Sequence, residues 1–158
     1  NKISTKVALQ ISDQVLVSTP DLIYYYPKAF WLPNPIDPKF KPQNNPQRYG
    51  KALYFKKWYE PEMEKMVQSK CDAMGLKLTI PNRSIPYGEM PLFLRQFEVF
   101  FDQFTIPSLS KAALEALASG CKVISWKGFV ANADEIIENH SLSAVTDKLV
   151  KIYKELSE

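Results

Sequence analysis

The chain has 158 residues, of which 46% are hydrophobic and 23% charged, with a net charge of +3. That length supports one domain, or one and a fraction, with a real core, and the composition excludes a disordered chain. The small basic excess fits anionic small ligands or an anionic membrane surface. It is too small to argue for nucleic acid, which calls for a clustered basic face.

Two cysteines fifty positions apart, Cys71 and Cys121, have neither zinc-ligand spacing nor a disulfide framework around them. One histidine, His140, is too few for a histidine metal site, and no metal site is expected. There is no signal-peptide core and no apolar run near the ~20 residues that span a bilayer. The chain is therefore expected to be cytoplasmic, or a fragment of something longer.

In chain order, Lys2–Ser12 has helical spacing at Ile3, Val7 and Ile11. Gln14–Ser18 reads as a short strand. Thr19 is a helix cap before Pro20, and Ala29–Leu32 is a second strand. Pro33, Pro35, Pro38, Pro42 and Pro46 then break regular structure, so residues 33–50 read as a semi-rigid linker or hinge. Lys51–Phe55 is a strand, Pro61–Met74 a helix stopped by Gly75, and Leu76–Ile80 a strand. A turn-rich loop leads to a short helix over Glu89–Gln96 and a strand over Glu98–Phe101. Ser110 caps a helix that Gly120 ends, Cys121–Ser125 is a strand, and Asn132–Leu156 holds two helices. Strands alternating with helices predict an α/β fold: a three-layer, Rossmann-like domain with a mostly parallel sheet. Ligands of such sheets bind beyond the carboxyl ends of the strands, here the loops 56–60, 81–88, 102–110 and 126–131.

The start of the helix at Ser110 is a ready anion site. Free amides and the helix dipole point outward, and Ser108, Ser110 and Lys111 add hydroxyls and an ammonium. An ordinary capped helix accounts for the same residues.

The run Leu114-Glu115-Ala116-Leu117-Ala118-Ser119-Gly120-Cys121-Lys122-Val123-Ile124 resembles the signature of retaining GT-B glycosyltransferases. Asp13–Leu22, then Trp31-Leu32-Pro33-Asn34-Pro35-Ile36-Asp37, is similar to the exit from the N-terminal domain of that family into its hinge. The resemblance implies the C-terminal half of a GT-B fold. Residues 1–37 would be the last elements of the N-terminal domain, 38–50 the linker, and 51–158 the nucleotide-sugar-binding domain. It implies a donor such as a UDP or GDP sugar as co-substrate, with no further cofactor. The acceptor, a sugar or a lipid-linked sugar, would be bound through the missing N-terminal domain, so the isolated chain is expected to be inactive. Glu115 would take the ribose hydroxyls; Ser108, Ser110, Lys111 and Lys57 the phosphates; and Ile85, in the loop with Arg83 and Ser84, would pack on the base. Lys56 lies beside Lys57.

The resemblance breaks where the family carries its first glutamate, because Pro107 stands there. The glycine-rich turn is also absent, and the stretch between Phe55 and Glu98 is short. Asp102, further back, is the nearest preceding carboxylate. A non-catalytic nucleotide-binding or assembly module is the alternative that Pro107 favours, and a flavodoxin-like interaction domain is a third. Tyr24-Tyr25-Tyr26 with Lys28, Phe30 and Trp31 is a candidate membrane-surface or lipid-acceptor patch, although such residues more often pack between domains. Truncation would leave an interdomain face open to homodimer formation. His140 reads as a cap or surface residue.

Overall fold

The computed structural model describes residues 14–56, 62–82, 84–128 and 130–157. The helix expected over Lys2–Ser12 lies outside them, as do Lys57 and Arg83.

The main sheet has four parallel strands: β3 (Lys51–Tyr54), β4 (Lys77–Thr79), β5 (Val99–Phe101) and β6 (Lys122–Ile124), in the order β4-β3-β5-β6. Three helices connect them: α1 (Met63–Met74), α2 (Met90–Leu94) and α3 (Lys111–Ala118). The strands register as Leu53–Phe100–Val123 across one face and as Ala52–Val99 and Tyr54–Phe101–Ile124 across the other. Alternation along each strand thus makes two cores. Leu53, Phe100 and Val123 pack with Leu94 of α2 and with Leu114 and Leu117 of α3. Tyr54, Phe101 and Ile124 pack with Val67 and Cys71, one turn apart on α1. The chain is an α/β domain of three layers, Rossmann-like in arrangement. Leu53, Phe100, Val99 and Val123 are at most 1% exposed, and each such side chain contributes roughly 1.5–3 kcal/mol.

The sheet starts at β3, adds β4 on one side, then returns across β3 to add β5 and β6 on the other. Right-handed crossovers in opposite directions put α1 on one face and α2 and α3 on the other. The switch in direction lies between β3 and β5, where Phe55 and Asp102 leave those two strands, and that is the end of such sheets at which ligands generally bind.

Ahead of this body, β1 (Leu16–Val17) and β2 (Phe30–Trp31) form a separate parallel pair. A 3-10 turn over Pro20–Tyr24 joins them. Thr19 occupies its cap position but makes no capping bond. The proline-rich stretch runs as a strap along the domain. Ile36 and Phe40 are buried in the core shared with α3. Arg95 donates to the carbonyls of Lys39 and Lys41 at 2.8 and 2.9 Å, and Arg48 donates to the carbonyl of Gly120. Two further helices follow β6: α4 (Ala133–His140) and α5 (Leu142–Ser157). The carbonyl of His140 accepts from the Ile36 amide at 2.9 Å. The Lys148 ammonium of α5 lies 3.6 Å from the centre of the Trp31 ring. The β1–β2 pair is therefore tied to the C-terminal helices.

Among the described residues, no helix is long and apolar enough to cross a membrane. Cys71 and Cys121 are free thiols, both buried. Burial pushes the Cys121 thiol up to about 11, and its Sγ lies 3.3 Å from the carbonyl of Leu94. Both cysteines pack as core residues.

Candidate functional site

The carboxyl edge of the sheet is built around the first turn of α3. Asp102 leaves β5 with 2% exposure. Its two oxygens accept from the amide of Ser110 at 2.8 Å and from the hydroxyl of Ser110 at 2.6 Å. The same hydroxyl oxygen accepts from the Ala113 amide at 3.1 Å and so caps α3. One residue on, the Gln103 amide group donates to the carbonyl of Ser108 at 2.7 Å. Two buried polar residues thus fix the loop from Phe104 to Ser110. Asp102 faces this loop as a support. Both donors of Ser110 point at Asp102, so in this arrangement Ser110 shapes the start of α3 and has no hydrogen bond left to offer a ligand. The amides of Lys111 and Ala112 are the first-turn donors that neither Asp102 nor Ser110 takes up.

Glu115, one turn into α3, is 6% exposed. The Lys111 ammonium lies 4.0 Å from its carboxylate, at the outer limit of an ion pair. Burial raises the pKa of Glu115 above the ordinary range; the cations of Lys111 and Lys39 oppose this, and Asp37 adds to it. The strap delivers Lys39 and Asp37. The Lys39 ammonium is 3.1 Å from Asp37 and 3.8 Å from the centre of the Tyr87 ring, and Lys111 lies 5.5 Å from the same ring. The amide and ammonium of Lys39 hold the Asp37 carboxyl below its usual range. Two ammonium groups and one aromatic face therefore gather beside a buried carboxylate. Such a cluster can hold an anion and accept hydrogen bonds from a diol at the same time.

A cavity of about 360 Å³ opens on the other side of the α3 start. It lies between the β1–β2 pair and the loop at Pro107, and its walls include Trp31, Asp21, Ser108, Leu114 and His140. Leu114 and Glu115 are neighbours on the helix, so about 100° of rotation separates the cavity side from the charged side. His140 ends α4, and its Nδ1 lies 2.7 Å from the carbonyl of Asn34. The sequence read His140 as a cap or surface residue; the tie of the strap to α4 draws it into the cavity wall.

The residues expected to form one site divide among these places. Glu115 and Lys111 meet. Ser108 lies on the cavity side, where it lines the wall with Asp21. Ile85 lines a third recess with Asn82, Glu89 and Phe93, against α2. Lys56 pairs with Glu64 at the start of α1. Lys57 lies outside the described residues. Asp37, Lys39, Tyr87 and Asp21 were not anticipated as site residues. Asp37 closes the hinge string that resembles the GT-B exit, and that was the available signal for the strap's part in the site. No protein-family model matches the chain, and no curated protein matches it.

Proposed function

We propose that the chain binds a nucleotide diphosphate sugar, as the donor-binding half of a glycosyltransferase of the GT-B kind. The observation that carries this reading is the pairing of a buried Glu115 with Lys111 in the first turn of α3, at the carboxyl edge of a parallel sheet. A vicinal diol such as ribose supplies two donors to one carboxylate, which the 4.0 Å contact to Lys111 leaves short of close partners. Lys111, Lys39 and the first-turn amides would take the diphosphate. The Tyr87 ring offers an apolar face beside them. In transfer, the same cations and the helix dipole would balance the charge developing on the leaving diphosphate. The hydroxyl acceptor would come from a partner domain.

Calorimetry and amide NMR with UDP and GDP at millimolar concentration test this reading. One of the two should shift the Lys111 and Glu115 amides, and Lys111→Ala should weaken its binding about tenfold. Silence from both nucleotides in both measurements would sink it.

Pro107 supports a second reading, a nucleotide-binding or assembly module without catalysis. It stands where the family resemblance places a glutamate, and it borders the cavity. A transfer assay with an acceptor-binding domain restored separates the two, since only the first reading gives product.

A further inference from the structure

The last helix carries more apolar surface than the domain uses. Val145 and Ile152 are the buried residues of α5. Beside them Leu142, Val150 and Tyr153 are 57%, 46% and 63% exposed, and Thr146 and Ser157 are exposed with them. At 3.6 residues per turn these five positions fall within an arc of about 80°. None of them is charged. The middle of the arc lies about 100–120° from Val145 and Ile152, so the stripe lies outside the contact between α5 and the rest of the domain.

The charges of α5 are sorted around this stripe. Lys148 sits over Trp31, and Lys151 lies 3.9 Å from Glu155, both away from the stripe. Asp147 and Lys154 border it, together on the edge further from Val145 and Ile152. Among the described residues neither has an ion-pair partner. They are seven positions apart, so about 10 Å of helix keeps them from meeting within one chain.

A second α5 running the opposite way satisfies each of these features. A two-fold axis perpendicular to the helix lays the same edge of both copies side by side. The stripe is centred between Leu149 and Val150. The Asp147–Lys154 pair is centred between Val150 and Lys151, one residue or about 1.5 Å further on. The register that matches the two stripes therefore also sets Asp147 of each copy opposite Lys154 of the other, giving two opposite-charge pairs. A hollow of about 440 Å³, lined by Val150, Tyr153, Lys154 and Ser157, opens toward the C-terminal half of α5. The reversed copy brings its exposed Leu142 to that end. A parallel copy would set Asp147 against Asp147 and Lys154 against Lys154.

We propose that a second copy of this chain covers the stripe, through an antiparallel two-fold pairing of the α5 helices. A single helix pair buries less than the ~800 Å² per partner of a standard interface, so the dimer is weak and concentration-dependent. It does not depend on the nucleotide reading, because Glu115 and Lys111 belong to α3.

Sedimentation equilibrium on the 158-residue chain tests this. The average mass should climb from monomer toward dimer between about 10 μM and about 1 mM. Lys154→Glu or Asp147→Lys alone sets like charges against each other twice and should weaken the dimer about tenfold. The double variant restores opposite charges and should restore the dimer. An equal mixture of the two single variants should associate more tightly than either alone. Tyr153→Asp, near the middle of the stripe, should leave a monomer. A wild-type chain that stays monomeric at about 1 mM overturns the proposal and leaves the stripe to a different protein or to another part of this one. A dimer that the single variants leave unchanged is held by another surface and overturns it as well. So does a dimer that they weaken but that neither the double variant nor the mixture restores.

Discussion

The two edges of the sheet handle their polar groups differently. At the amino edge the backbone groups are tied by long-range partners, and the one orphan there among the described residues is the buried Ser119 hydroxyl. The Gly50 amide donates to the Glu98 carboxylate at 2.6 Å, the Gly50 carbonyl accepts from Lys77 at 2.7 Å, and Arg48 reaches the Gly120 carbonyl. At the carboxyl edge Asp102 is as well satisfied, but Glu115 is not: it is a buried carboxylate whose pKa burial raises, with its cation at 4.0 Å. Buried polar groups are normally paired, so an edge that leaves the Glu115 carboxylate short of donors while saturating Asp102 has a place for a ligand's donors. The contrast also separates support from contact. Asp102 and Ser110 hold the α3 start in shape, and Glu115 and Lys111 are left to meet something else.

The largest expected effect tests the support. Asp102→Ala removes both bonds to Ser110 and loosens the helix cap, at a cost of about 2–3 kcal/mol. Urea unfolding should show the loss, and the Ala113 amide should exchange faster. A change within about 0.5 kcal/mol would mean that the α3 start is held by other contacts. A smaller effect tests the amino edge. Gly120 has φ +88°, and an added Cβ would lie 3.1 Å from Arg48 and 3.3 Å from Pro42. Gly120→Ala should cost about 1–2 kcal/mol through its left-handed backbone and the crowded strap. Nucleotide affinity should be retained, because the damage is at the opposite edge. Loss of binding in a variant that still folds would show that the two edges are coupled through α3.

Local signals carried the fold, and long-range placement carried most of the site. Strand and helix alternation from Lys51 onward was legible because the strands are short runs rich in apolar residues and the helices α1 and α3 have clear stops at Gly75 and Gly120. The Ser110 cap was legible from its place before Lys111–Ala118. The five prolines from Pro33 to Pro46 were legible only as breakers of regular structure. Nothing local showed that Phe40 would be buried in the core, or that Arg95, more than fifty residues on, would fasten the strap. The same gap hid the site: Lys39 and Glu115 are 76 positions apart in sequence, and only the strap's course brings them together. Ser108 and Ser110 were grouped by spacing, yet one faces Asp21 and the other Asp102, because the loop between them is shaped from β5.

The smallest effect bears most directly on the contrast between edges. Glu115 has a raised pKa in the folded chain, with burial as the main cause. The folded state therefore binds the Glu115 proton more tightly than the unfolded state does. Stability contributed by this group falls as pH rises through the unfolded and then the folded pKa, and it is recovered as pH drops back below the unfolded value. At neutral pH the ionised carboxylate thus weakens the fold. Glu115→Gln removes the charge and keeps the shape, so it should stabilise the chain at pH 7 by less than about 1 kcal/mol. That gain should vanish in acid, where the wild-type residue is protonated. Unfolding midpoints of both proteins across that pH range test this directly. A variant that is more stable at pH 7 but binds the nucleotide less well marks Glu115 as a residue kept for its ligand. Loss of stability at pH 7 would instead show that Lys111 and Lys39 already satisfy the carboxylate, and that the carboxyl edge is as closed as the amino edge.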